Sequence, residues 1–290
     1  MDFVLKDEYS YRGVTYCYVY QDINIDMMKD WQVRPSDVLI ATYAKSGTTW
    51  MGEILYQMRR YHPEFDSQNL EDPRYILPYV EIGTDDDPIA VKCMDKMCSP
   101  RVIKTHLYYE FFKKQVEQDG LKVVFVLREP KDTLTSYYYH YCQRMFGFTG
   151  DFHQFFDLVR QDRLLGGNIF KMNRDWWQMR HLPNVHVVRY EEMKKDCPGV
   201  VRRLGEFLGI PLDQESIDQI VEMSKIENMR KLAVVGRIRD KDGVPLMDTQ
   251  KFLRKGIVGD WKNHMMQDEV EFVDDCVRKY YDPVGLHFDL

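Results

Sequence analysis

Five short groups of residues in this chain have the types and spacing to act on an anion. The first, Lys45-Ser46-Gly47-Thr48-Thr49-Trp50, stands where the apolar run Val38 to Tyr43 stops and an amphipathic segment begins. That order reads as strand, tight turn and helix. Gly47 permits a backbone geometry that other residues resist, and the amides of Gly47, Thr48 and Thr49 would then open a helix whose unpaired N–H groups and dipole favour an anion. A phosphate-like group is the natural guest. The Walker pattern places its lysine directly after the second glycine, whereas Lys45 precedes Gly47 and Thr48 follows it, so ATP is not the obvious ligand. The other groups are Lys104-Thr105-His106, Arg128-Glu129-Pro130-Lys131-Asp132 with Ser136 beyond it, Tyr190, and Phe252-Leu253-Arg254-Lys255-Gly256, which runs on through Gly259-Asp260-Trp261-Lys262.

Taken singly, each group has a plainer role: a serine or threonine capping a helix, a surface histidine, a solvated turn, a core aromatic. Their shared position decides the matter, because four strand ends carry such groups, and ligands bind at strand ends in open α/β sheets. Buried strands are expected at Val38 to Tyr43, Arg101 to Lys104, Lys122 to Leu127 and Val185 to Val188, the last running on to Tyr190. Helix-period segments lie between and after them, at Thr48 to Arg60, Lys131 to Met145, Asp151 to Leu164, Asn168 to Arg180, Pro198 to Leu208 and Gln214 to Lys231. Such alternation builds one α/β domain over residues 1–290, a central parallel sheet with helices on both faces. A tyrosine-rich hairpin at 9–20, turning at Arg12-Gly13, is expected on its edge. The aperiodic stretch 232–251 reads as a long functional loop.

A formal charge of -6 argues against broad nucleic-acid or anionic-membrane binding, so an anion site must be a local basic pocket. The amino terminus lacks the basic and apolar regions of a secretory signal, and the run Val123 to Leu127 is too short to span a bilayer, so a cytoplasmic location is expected. Six cysteines without a CxxC pair and eight histidines without metal spacing predict free, mostly buried thiols and no bound metal.

The combination of KSGTTW, KTH and RKGIVGDWK, in order between about Asp37 and Trp261, resembles the cytosolic sulfotransferases. The resemblance implies transfer of a sulfuryl group from 3'-phosphoadenosine 5'-phosphosulfate (PAPS) to the hydroxyl of a small, partly apolar acceptor. It makes the first motif a P-loop-like phosphosulfate-binding loop, with Lys45, Ser46, Gly47, Thr48, Thr49 and Trp50 around the 5'-phosphosulfate and adenine. Arg128, Ser136 and Phe252, Leu253, Arg254, Lys255 and Gly256 would hold the 3'-phosphate end, and Tyr190, Ser224 and Met229 the adenosine. His106 would be the general base, while Lys45, Lys104 and Ser136 would serve the transferring group. Tyr79, Tyr137, Arg144 and Phe146, with Lys104 and His106, would line the acceptor site, and arginines 237 and 239 would lie in its covering loop.

The chain departs from the family pattern at three places. Ala44 stands for a proline, Ile226 for an aromatic residue, and Met266-Gln267 for the Thr-Val of the dimer segment, in which Lys262 and Glu271 match. A homodimer by that route is therefore left open. Two other functions remain in view: a P-loop nucleotide kinase, and a non-catalytic nucleotide- or hormone-binding protein. Retention of both Lys45 and His106 speaks against the second.

Overall fold

A computed structural model describes residues 3–17, 20, 22–65, 79–81, 90–231 and 242–288. Four strands, β3 (Val38–Thr42), β4 (Val102–Thr105), β5 (Lys122–Leu127) and β6 (Val185–Arg189), form a parallel sheet in the order β4-β3-β5-β6. Their register places Val38 beside both Val102 and Lys122, and Leu127 beside Arg189, so the carboxyl ends line up along one edge. The chain goes from β3 to the neighbour on one side and then returns to the other, which makes the gap between β3 and β5 the topological switch point.

Strict alternation along the central strands divides the core into two layers. Leu39, Ala41, Val123, Phe125 and Leu127 face one cluster, and Val38, Ile40, Val124 and Val126 face the other. The Thr48–Met58, Cys197–Leu208 and Gln214–Met223 helices cover the second face with Met51, Ile54, Leu55, Met58, Leu204 and Ile217. The Pro130–Tyr141, Phe152–Arg160 and Ile169–Gln178 helices cover the first with Leu134, Phe155, Phe156 and Trp176. Helices on both faces are thus a consequence of strands apolar on both sides.

Local chemistry sets the helix starts. The Glu129 carboxylate accepts the Asp132 amide at 2.8 Å with Pro130 in the first turn, Asp151 and Gln154 form a capping box, and Asn168 caps the next helix. Several expected bounds shift. The segment 214–231 is two helices, Gln214–Met223 and Ile226–Lys231, because Ser224 turns its hydroxyl onto the Val221 carbonyl at 3.0 Å and ends the first. Tyr190 opens the Tyr190–Lys195 helix instead of ending the strand, and the Gln267–Tyr280 helix lies outside the segments expected to be helical.

The edge hairpin is present as β1 (Tyr9–Tyr11) and β2 (Val14–Tyr16), with Tyr9 opposite Tyr16. It docks through Thr15, whose carbonyl accepts the Gly166 amide. Of the thiols only Cys17 is buried, and Cys142 is exposed, so the expectation of mostly buried cysteines does not hold. Among the described residues no group of three or more His, Cys, Asp or Glu could hold a metal, and no helix is long and apolar enough to cross a membrane. The expected loop 232–251 lies outside the described residues up to 241, arginines 237 and 239 included. Its end is the short Thr249–Phe252 helix, capped by Asp248.

Candidate active site

The loop after β3 begins with a turn in which the Ser46 amide donates to the Tyr43 carbonyl at 3.1 Å. Lys45, third in that turn, has φ 70°, as the corresponding residue of a type II turn does. Ala44 occupies the position at which proline would preset the backbone, so the turn forms without that restriction. A non-glycine residue at positive φ stores strain of order 1–3 kcal/mol. Gly47 follows with φ 111°, and a Cβ there would stand 2.9 Å from the Tyr190 ring. Only glycine fits that approach.

Tyr190 is the hub on which these loops meet. Trp50 meets its ring edge-on at 5.6 Å, the Arg128 guanidinium lies 4.4 Å from its centroid, and a Cβ on Gly256 would come within 3.5 Å of its hydroxyl. Arg128 donates to the Lys45 carbonyl at 3.3 Å and to the Ile257 carbonyl at 3.2 Å, tying together the loops after β3 and β5 and the segment 252–259. Ile226, the residue found in place of an aromatic, borders Gly256: its Cδ1 would be 3.7 Å from a Cβ there. Met229 is buried nearby in sequence, on the Ile226–Lys231 helix. Ser224 is buried too, but its hydroxyl is committed to the Val221 carbonyl.

Four donor atoms in these loops, Ser46 Oγ, Trp50 Nε1, Arg128 Nε and Arg254 Nη1, are enclosed without a hydrogen-bond partner. Leaving a buried donor unpaired costs about 1–3 kcal/mol, and a multiply charged anion would satisfy several at once. Thr48 and Thr49 begin the helix behind them, its N-terminal amides facing the same turn. Ser136 is half-buried on the Pro130–Tyr141 helix, and Leu253 accepts hydrogen bonds from Arg230.

His106 sits just beyond β4 on the other side of the loop. Its Nδ1 is 2.7 Å from the Thr42 carbonyl oxygen. A carbonyl can only accept, so Nδ1 carries the proton and Nε2 carries the lone pair. Burial, partly opposed by the Thr42 bond and reinforced by Lys104 and Lys45, lowers its pKa to about 4. The imidazole is therefore neutral at physiological pH and ready to accept a proton. Burial and then the charges of Arg128 and Arg254 lower Lys45 to about 7, and its Nζ rests 3.3 Å from the Phe252 ring centroid. Burial lowers Lys104 to about 8 against the pull of Glu81, and its Nζ lies 4.3 Å from the Tyr79 ring. Tyr79 also lies 5.0 Å from the His106 ring and bridges to Lys104 through the backbone.

Not every expected residue joins this group. Tyr137 is a core residue, its ring packed on Tyr43 and Tyr141 and its hydroxyl donating to the Leu165 carbonyl at 2.8 Å. The resemblance places it on the acceptor wall, and here its ring is packed into the core. Arg144 lies past the helix end and is exposed, whereas Phe146 is buried against His140 and Tyr141.

Other residues have roles that the sequence alone did not reveal. Glu81 accepts the His106 amide at 2.7 Å and the Thr105 hydroxyl at 3.0 Å, fixing the backbone that carries the imidazole. Burial raises its pKa to about 7. Asp132 accepts the Gly259 and Trp261 amides at 2.6 and 3.1 Å, and Asp260 binds Arg254 at 2.5 Å and Lys255 at 2.9 Å. Burial pushes the Asp260 carboxyl up, but its bonds to Lys255, Arg254 and Asn263 outweigh that and hold it well below the ordinary carboxylate range. Both aspartates lie inside motifs read for their cations, and a carboxylate amid clustered bases was the signal available. Glu81 and Thr42 offered no such signal, being 25 and 64 residues from His106.

Comparison with known proteins agrees with this geometry. Residues 35–285 match the sulfotransferase domain family. The chain is 31% identical over 243 residues to human sulfotransferase 1E1, covering 82% of this chain and 81% of that protein. It is 27% identical over 266 residues to human sulfotransferase 1C2, covering 91% and 90%. Among solved structures, mouse sulfotransferase SULT7A1 complexed with PAP superposes with a TM-score of 0.76 at 23% identity, covering 96% of each chain. Retinol dehydratase in a complex with retinol and PAP gives 0.77 at 22%, covering 97% of this chain and 91% of that one. The chain belongs to the sulfotransferase family and is itself a sulfotransferase.

Proposed function

We propose that the protein transfers the sulfuryl group of PAPS to the hydroxyl of a small, partly apolar acceptor such as a phenol or a ring-bearing alcohol, with His106 as general base. The observation that carries this reading is the Nδ1 bond of His106 to the Thr42 carbonyl, which leaves Nε2 as the free base beside Lys45 and Lys104. Residues 45–50, Arg128, Arg254 and the Tyr190 hub would hold PAPS, and the four enclosed donors without partners fit its phosphate and sulfate oxygens. PAPS supplies the activated sulfuryl group. His106 would take the acceptor proton at Nε2, and the two lysines would offset the charge that grows as the bond to the leaving oxygen breaks. Ser136, half-buried on the Pro130–Tyr141 helix, would add a hydroxyl donor. That PAP accompanies the related structures supports the same cofactor here. The cytoplasm is the compartment proposed, and pairing of two copies through the exposed Lys262 and Glu271 is the oligomer to test.

Labelled PAPS and a panel of phenols test the reading directly. Transfer should persist in excess EDTA, because lysines and helix-start amides fill the role that Mg²⁺ plays in phosphoryl transfer. ATP turnover that EDTA abolishes, with no transfer from PAPS, would establish the nucleotide kinase instead.

Proton linkage provides a second check. With Lys45 near 7 in the free site, its ammonium is largely discharged at about pH 8, and a bound polyanion raises that pKa again. Binding of adenosine 3',5'-bisphosphate should therefore take up protons at about pH 8, and its affinity should fall as pH rises above about 7. The ligand phosphates are fully ionised there and release none, having a second pKa of about 6. Calorimetry in two buffers of different ionisation enthalpy measures the uptake. A value of zero across this range would show that Lys45 does not titrate on binding.

A further inference from the structure

His140 is a titratable group that the reaction described above does not use. It lies one turn beyond Ser136 on the Pro130–Tyr141 helix, so the two share a face. Its ring is surrounded by aromatic rings: Phe146 at 4.9 Å, Phe252 at 5.4 Å and Tyr137 at 5.9 Å. Phe252 is also the ring under the Lys45 ammonium, and the charge of Lys45 reaches the imidazole. The side chain is only partly buried, yet Nδ1 is enclosed and has no hydrogen-bond partner.

A phenyl ring would fill this aromatic cage without an unpaired nitrogen, and an unsatisfied buried polar atom in a native fold calls for a reason. A second base is not that reason. His106 has its tautomer fixed by a backbone carbonyl, whereas Nδ1 of His140 has no partner to fix it. We propose that His140 determines acceptor specificity: its imidazole is a hydrogen-bonding handle in an aromatic wall and selects ring-bearing acceptors that carry a second, neutral polar group. This rests on the sulfotransferase reading given above. Burial and then the charge of Lys45 hold the ring well below the usual histidine range, so it offers one N–H donor and one acceptor nitrogen without charge. Because the side chain is only partly buried, its exposed edge can meet an acceptor.

The test uses two probes of equal size, 4-ethylphenol and 4-(hydroxymethyl)phenol. Their binding to protein saturated with adenosine 3',5'-bisphosphate is measured by calorimetry for wild type, His140→Phe and His140→Gln. His140→Phe should shift the affinity ratio toward 4-ethylphenol by about ten-fold or more, while His140→Gln, which keeps a donor and an acceptor, should retain most of the wild-type ratio. Bisphosphate affinity should be unchanged in both. The same ratio in all three proteins would overturn the proposal, and so would loss of bisphosphate binding in His140→Phe, which would mark the ring as structural. Failure of the sulfotransferase reading shows separately, as no transfer from PAPS to either phenol in the wild type.

Discussion

Replacing His106 with alanine is expected to lower the turnover rate by about 10²-fold or more, the range that general bases contribute, with adenosine 3',5'-bisphosphate binding nearly intact. The separation follows from where the ring is held. Its contacts are Thr42, Tyr79 and the backbone tie to Glu81, while the enclosed donors that would face the nucleotide belong to Ser46, Trp50, Arg128 and Arg254. A pKa of about 4 in the free site makes His106 a weak base, and the negative charge of bound phosphosulfate would raise it toward the ordinary value of about 6.5. Calorimetry and a rate assay on one sample read the two effects apart. A variant that keeps more than about a tenth of its rate would remove His106 from the role of base.

Lys45→Met should cost about 10²- to 10³-fold in kcat, the size of loss seen when a donor aimed at developing charge is removed. Methionine keeps the length of the side chain and its contact with the Phe252 ring while deleting the ammonium. The variant should not be less stable, because the folded protein no longer desolvates a cation that the charges of Arg128 and Arg254 repel. Thermal unfolding without ligand therefore separates a folding defect from a catalytic one. An unchanged kcat in a folded protein would mean that Lys45 only binds the ground state, and a Tm well below wild type would show that the lysine supports the loop itself.

Much of this protein was determined by the sequence itself. Strands apolar on both faces, separated by helix-period segments, require a parallel sheet covered on both sides, and β3, β4, β5 and β6 lie within a residue or so of their expected bounds. The motifs at the strand ends fixed the anion loop in the same way, since a glycine at the close of a buried strand leaves little choice of turn. Tertiary structure decided what depends on partners distant in sequence. Which nitrogen of His106 carries the lone pair follows from Thr42, the backbone of His106 is fixed by Glu81, and the basic segment 254–262 is held by Asp132 and Asp260. The helix and turn after β5 depended on tertiary structure most: Tyr137 packs inward with its hydroxyl on Leu165, Arg144 is exposed, and His140 lies among aromatic rings. Periodicity assigns a residue to a helix face, but packing of that face against other segments decides which side chain is covered, and those contacts are not encoded locally.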